Sequence, residues 1–98
     1  MSLTSTQVRY LRGLAHALKP VILTGNKGVT DALLKEFDVA LAHHELIKVK
    51  LGSEDRDERR TQIAELVERS GAELVQSIGR VACFYRHNDE QPKIALPR

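Results

Sequence analysis

The chain has 98 residues, 42% hydrophobic and 29% charged, enough for one compact domain that buries roughly 65% of its unfolded surface and too short for two. Fifteen Lys+Arg against 13 Asp+Glu leave a net charge of +2, well short of the excess that announces a nucleic-acid binder by itself, so a cationic site must come from local clustering. The single cysteine, Cys83, excludes an internal disulfide framework and a cysteine-built zinc site and suits a reducing compartment. No basic stretch followed by an apolar run opens the chain, and no segment approaches the ~20 apolar residues that span a bilayer. A cytoplasmic protein without a membrane partner is expected.

The first predicted element is a helix. Thr4 caps it, Gln7 stands three residues on, and Leu3 and Val8 are placed as a hydrophobic staple. Val8, Leu11, Leu14, Ala15 and Leu18 recur on one stripe, while Arg9, Arg12, His16 and Lys19 recur on a neighbouring one. Pro20 stops the helix, Val21 to Thr24 reads as a short buried strand, and Gly25-Asn26-Lys27-Gly28 turns the chain. A second helix, capped by Thr30 and ending near His44, carries Leu33, Phe37, Ala40 and Leu41 toward a core.

Leu46 to Leu51 alternates, with Ile47, Val49 and Leu51 on one side and Leu46, Lys48 and Lys50 on the other, which predicts a strand with one solvated face. Ser53 is the expected cap of a third helix whose first turn is acidic; Ile63, Leu66 and Val67 form its core side and Gly71 follows its end. Ala72 to Ile78 and Val81 to Arg86 read as strands joined by the tight turn Gly79-Arg80. The order αβαβαββ places the second and third helices on one face of the sheet, a two-layer α/β (α+β) fold with the other face open. Residues 1–86 form the domain, and the polar tail 87–98, anchored only by Ile94, Ala95 and Leu96, is expected to be an extended arm.

The Gly25-Asn26-Lys27-Gly28 loop is the most informative feature. Two glycines open backbone angles closed to other residues, bare backbone admits another chain, and loop amides with a helix N-terminus favour a phosphate. This is the physics of the G-x-x-G loop that clamps a single-stranded nucleic-acid backbone; a plain tight turn is the competing explanation. Arg9, Arg12 and Lys19 lie on the helix leading into the strand that delivers the loop, and Lys48 and Lys50 extend the basic surface, ranked below Lys27. Arg56, Arg59 and Arg60 form another basic cluster. The four-residue spacings Asp55 to Arg59 and Glu65 to Arg69 favour ion pairs on the helix surface there.

Enzymatic signatures are missing from the sequence. His43 and His44 are adjacent, about 100° apart on a helix, and cannot face one metal together. Cys83, between Ala82 and Phe84, reads as a small buried hydrophobe. The glycine loop lacks the longer phosphate-binding pattern that ends in Lys and Ser or Thr. Tyr10, Phe37, Phe84 and Tyr85 are not interleaved with cations as a stacking platform requires. No catalytic residues, metal, cofactor or small-molecule substrate are expected.

Leu14-Ala15-His16 with Leu18-Lys19-Pro20-Val21, Gly25-Asn26-Lys27-Gly28 followed by Val29-Thr30, His44 to Lys50, Ile78-Gly79-Arg80 leading to Tyr85-Arg86, and Lys93 to Arg98 together resemble the CRM domain family in its stand-alone bacterial YhbY-type form. The resemblance runs nearly end to end. It implies an RNA-binding domain related in fold to the C-terminal domain of translation initiation factor three, with a mixed four-stranded sheet, and in bacteria an association with precursors of the large ribosomal subunit. Gly25, Asn26, Lys27 and Gly28 would then contact RNA, with the basic first helix as their flank. The expectation is a monomeric RNA-binding ribosome assembly factor; a general or intron RNA binder and a protein-interaction module are the alternatives.

Overall fold

A computed structural model describes residues 2–25 and 27–98. Its elements follow in the order α1 (Ser5–His16), β1 (Ile22–Leu23), α2 (Asp31–His44), β2 (Leu46–Lys50), α3 (Arg56–Ser70), β3 (Glu73–Ile78) and β4 (Val81–Tyr85). The sheet order is β1-β2-β4-β3, with β1 parallel to β2 and β4 antiparallel to both neighbours. Strands β1, β2 and β3 therefore all point the same way, and β4 returns between the last two. The αβαβαββ order and the mixed four-stranded sheet match the sequence reading.

Local chemistry sets the element ends. At α1, Thr4 Oγ1 accepts from the Gln7 amide at 3.2 Å and the Gln7 side chain accepts from the Thr4 amide at 3.0 Å, the expected capping box. At α3 the cap is Asp55 rather than Ser53: the Asp55 carboxylate accepts from the amides of Asp57 and Glu58, while Ser53 Oγ is occupied by the Asp55 amide. An ionised carboxylate is the stronger acceptor at the positive end of a helix, and it displaces the hydroxyl two residues upstream. The regular part of β1 is short, but Val21 N and Thr24 N both donate to β2, to Lys48 O and Lys50 O. The ladder thus spans the four residues that the sequence assigned.

Helices α2 and α3 share one face of the sheet. Phe37, Leu41 and Leu66 close over Ile22, Ile47, Val49, Ala82 and Phe84, and the rings of Phe37 and Phe84 meet edge to face at 5.1 Å. The other face is not open, contrary to expectation. Leu46, Val75, Cys83 and Tyr85 form a second buried cluster there with Leu11 and Ala15 of α1, and Leu3, Val8, Ile94 and Leu96 close its border. The reason lies in β4, which is apolar on both faces; Lys48 and Lys50 made β2 look solvated, but Leu46 on the same side joins Cys83 and Tyr85 to seat α1. A protein-interaction module using that open face loses most of its surface.

The chain after β4 has no helix or strand, yet it is fixed at one point. Glu45 ends α2 with φ 62°, a left-handed conformation that costs a residue with a side chain on the order of 1–3 kcal/mol. Its fully buried carboxylate collects the amides of Asn88 (2.6 Å), Lys93 (2.8 Å) and Ile94 (2.8 Å), and His87 Nδ1 stands 3.1 Å away. Burial, the largest influence, pushes the Glu45 carboxyl up, but the three amides and His87 outweigh it and hold it below its ordinary value. A carboxyl lowered on folding stabilises the fold above its unfolded pKa and loses that contribution as pH falls through the folded one. Acidification through the ordinary glutamate range and below should therefore release the arm. Protection factors of the Lys93 and Ile94 amides, which allow for the intrinsic slowing of exchange in acid, should fall across this window in the wild type. Glu45→Gln, which keeps only one acceptor oxygen, should cost about 1–3 kcal/mol at neutral pH and remove the pH dependence.

Candidate nucleic-acid interface

Because β1, β2 and β3 run in one direction, the segments that follow them emerge at the same end of the sheet: the glycine loop after β1, Leu51 to Asp55 after β2, and the Gly79-Arg80 turn after β3. Carboxyl ends of parallel strands are where open α/β sheets bind ligands. A buried threonine joins two of these segments. Thr24 Oγ1 accepts from the Gly52 amide at 2.8 Å and donates to Gln62 Oε1 at 3.3 Å, with Thr24 and Gln62 both buried. Gly52 is glycine for a steric reason, since a Cβ there would stand 2.2 Å from the Thr24 carbonyl oxygen. The sequence reading passed over all three, because a strand-end Thr, a strand-end Gly and a mid-helix Gln carry no signal apart.

The loop itself closes as a turn, with Gly28 N donating to Gly25 O at 3.1 Å. Its two glycines are not equivalent. Gly28 has φ 70°, which an L side chain tolerates poorly, while Gly25 lies outside the left-handed region and a Cβ built on it meets nothing within 4 Å. A tight turn accounts for Gly28. It leaves Gly25 without a reason inside the fold, whereas bare backbone facing open space is what a close-approaching ligand needs. Asn26 lies outside the described residues.

Lys27 is exposed at the loop tip. Lys50 pairs with Leu23 and its carbonyl accepts from Thr24 N, one residue before the loop; the Lys48 carbonyl accepts from Val21 N, two residues after Lys19. The β1–β2 ladder thus sets Lys48 and Lys50 of β2 alongside the stretch that runs from Lys19 to Lys27. Arg9 and Arg12 are exposed on α1, which packs on the sheet face that carries Lys48 and Lys50, but among the described residues no hydrogen bond ties them to the loop. Among the described residues none of these six cations is in an ion pair. Asp31, the acidic residue nearest the loop in sequence, is bound by Arg69 at 2.8 Å.

Other motifs have structural duties. Arg86 donates to Asp38 Oδ1 at 2.8 Å, to Asp38 O at 3.2 Å and to Ser70 O at 2.9 Å, fastening α2 to the end of α3. Arg69 pairs with Glu65 as expected, at 3.1 Å, but Asp55 and Arg59 do not pair: Asp55 is committed to its cap and Arg59 donates to Ser53 O at 3.1 Å. Burial pushes the Cys83 thiol up, against the opposing pull of Lys48, so it is a packed, protonated group. His43 and His44 are exposed at the end of α2, and among the described residues no three His, Cys, Asp or Glu side chains gather as metal ligands. Phe37, Phe84 and Tyr85 are buried in the two clusters, leaving Tyr10 as the exposed aromatic.

The family model of the CRS1/YhbY (CRM) domain matches residues 3–86. The chain belongs to the CRM domain family. Among similar CRM proteins, one from Haemophilus influenzae named "RNA-binding protein" is 43% identical over 97 residues, covering 99% of this chain and 97% of that protein. One from Bacillus subtilis named "probable RNA-binding protein" is 40% identical over 96 residues, covering 97% and 99%. The solution structure of a hypothetical protein from Staphylococcus aureus superimposes with a TM-score of 0.84 at 38% identity, covering 98% of this chain and 100% of that one. The glycine loop and its buried threonine support lie inside the stretch matched by the CRM model.

The loop geometry orders three substitutions by stability. Gly52→Ala forces backbone apart and should cost about 1–3 kcal/mol. Gly28→Ala pays a conformational penalty of about 1–2 kcal/mol. Gly25→Ala should be neutral or stabilising by up to about 1 kcal/mol. Urea unfolding of the three variants checks the order.

Proposed function

We propose that this chain is a non-enzymatic RNA-binding protein that works as a monomer without a cofactor. It grips its RNA mainly through phosphates, with Gly25, Asn26, Lys27 and Gly28 setting the register and Arg9, Arg12, Lys19, Lys48 and Lys50 as the flanking cationic surface. The observation that carries this reading is Gly25: the fold does not require glycine there, and it sits close to the exposed Lys27 and to Lys50, neither in an ion pair among the described residues. Bare backbone lets a sugar-phosphate chain approach, and loop amides with the N-terminal end of α2 add partial positive charge where phosphate would lie. The names of its CRM relatives agree with RNA as the ligand. With most aromatics buried, base stacking contributes little.

For the biological target, we propose structured ribosomal RNA in precursors of the large subunit, encountered in the cytoplasm, which is what the resemblance to the YhbY-type proteins implies. Co-sedimentation with large-subunit precursors at moderate salt, lost on nuclease treatment, is expected. Absence from those fractions with RNA affinity retained would indicate a general or intron-directed RNA binder instead.

Two measurements test the RNA contact. Lys27→Glu should weaken RNA binding roughly tenfold or more, with smaller losses for Arg9→Ala and Arg12→Ala singly, and five phosphate contacts to a single strand should give a slope of log affinity on log salt of about −3.5. Gly25→Asp should abolish binding while leaving the fold intact; unchanged affinity in the folded variant would remove the loop from the site.

A further inference from the structure

Arg56, Arg59 and Arg60 project from the side of α3 that faces β3, and with Ile63, Leu74 and Ser77 they line a cavity of about 340 Å³. Of the nearby carboxylates, Asp57 and Glu58 are exposed and do not line the cavity, and the other two are engaged elsewhere. Asp55 holds the α3 amides and Glu54 pairs with Arg80 at 2.9 Å. Among the described residues none of the three guanidinium groups is in an ion pair, and Arg59 alone has a partner, the Ser53 carbonyl. Three like charges thus converge on a floor that includes Leu74, 41% exposed. Such an arrangement is stabilised by an anion. Guanidinium forks match phosphate in bidentate geometry, and their planes stack on bases.

Size and topology choose between an acidic peptide and RNA. The cavity is at the small end of ligand sites, about 300–1,000 Å³, which suits a single nucleotide better than a polypeptide. β3 is an edge strand, but its register breaks between Leu74 and Gln76, and a bulge spoils the ladder that an added peptide strand would extend. The cavity lies at the same end of the sheet as the glycine loop, beside Ser77 near the C-terminus of β3, and at the opposite edge. Three strand spacings, about 14 Å, separate the two edges. The acidic Glu54 and first turn of α3 follow β2, which lies between those edges, so an RNA strand would touch the protein at two points rather than along a continuous track.

We propose that the α3–β3 cavity is a second RNA subsite. It takes one nucleotide of a single-stranded segment, its phosphate on Arg56 and Arg60 and its base against Leu74 and Ile63. This rests on the RNA-binding reading of the glycine loop and adds to it a site at the far edge of the sheet.

The test uses two oligouridylate probes, one of about four nucleotides, the length a G-x-x-G loop clamps, and one of about sixteen. They are measured against wild type, Lys27→Glu and the double variant Arg56→Glu/Arg60→Glu, whose altered positions are exposed. The double variant should bind the long probe about tenfold more weakly with a salt slope shallower by about 1.4, two single-strand phosphate contacts, and bind the short probe as wild type does. Lys27→Glu should weaken both. In the wild type, the long probe and not the short one should shift the amide resonances of Leu74 and Ser77. Equal long-probe affinity in wild type and a folded double variant overturns the subsite while leaving the loop reading intact. Shifts at Leu74 and Ser77 caused by hexaglutamate but not by RNA overturn it in favour of an acidic protein partner. Binding of neither probe by the wild type overturns the loop reading together with the subsite.

Discussion

The buried hydroxyl of Thr24 is the contact on which the loop end of the sheet depends. It sits where β1 gives way to the glycine loop, receives the amide of Gly52 from the segment after β2, and donates to Gln62 in the middle of α3. Three elements far apart in sequence are thereby fixed around one atom. A flexible glycine loop is useful for clamping a ligand only if its base is held. Here a buried polar group, satisfied on both sides, does the holding, and each bond is strengthened by the surrounding low dielectric. The close approach of Gly52 to the Thr24 carbonyl shows how tightly the two segments are stacked.

A second fixed point stands at the opposite end of the sheet. Glu45 leaves α2 in a left-handed conformation and gathers three amides of the arm, turning a polar tail into cover for the apolar face beneath α1. The two ends divide the work. One combines a strained backbone with a buried, hydrogen-bonded carboxylate to hold the arm, while the other exposes bare backbone and cations that are in no ion pair among the described residues. A net charge of only +2 is compatible with this division, because many acidic groups are spent inside the fold: Asp55 on a helix cap, Asp38 on Arg86, Asp31 and Glu65 on Arg69, and Glu45 on the arm. Among the described residues, the basic residues proposed for the RNA surface are in no ion pair.

Much of this was legible in the sequence, for identifiable reasons. Period and punctuation located every helix and strand to within a few residues, since Thr4, Thr30, Pro20 and Gly71 act locally. The β3–β4 hairpin followed from the tight turn at Gly79-Arg80, whereas the insertion of β4 between β2 and β3 was not legible, because it is a long-range pairing. Features that depend on tertiary contact were not legible. The cover over the second sheet face was hidden because alternation in β2 reports one strand, whereas burial there is decided by β4 and α1 together. Glu45 looked like one more surface carboxylate at a helix end. Spacing alone paired Asp55 with Arg59, and the competing demand of the α3 cap removed that pair. The site residues chosen from sequence were cations and glycines that stand alone, while Thr24, Gly52 and Gln62 acquire meaning only through one another.

The central claim is that RNA meets this protein at the loop end of the β1–β2 edge. The most direct measurement is crosslinking of the protein to RNA in cells, followed by identification of the crosslinked residues. Crosslinks should concentrate in residues 19–28 and 48–50, with weaker ones on the exposed side of α1. Crosslinks confined to the arm, residues 87–98, or to the outer surface of α2 would contradict it.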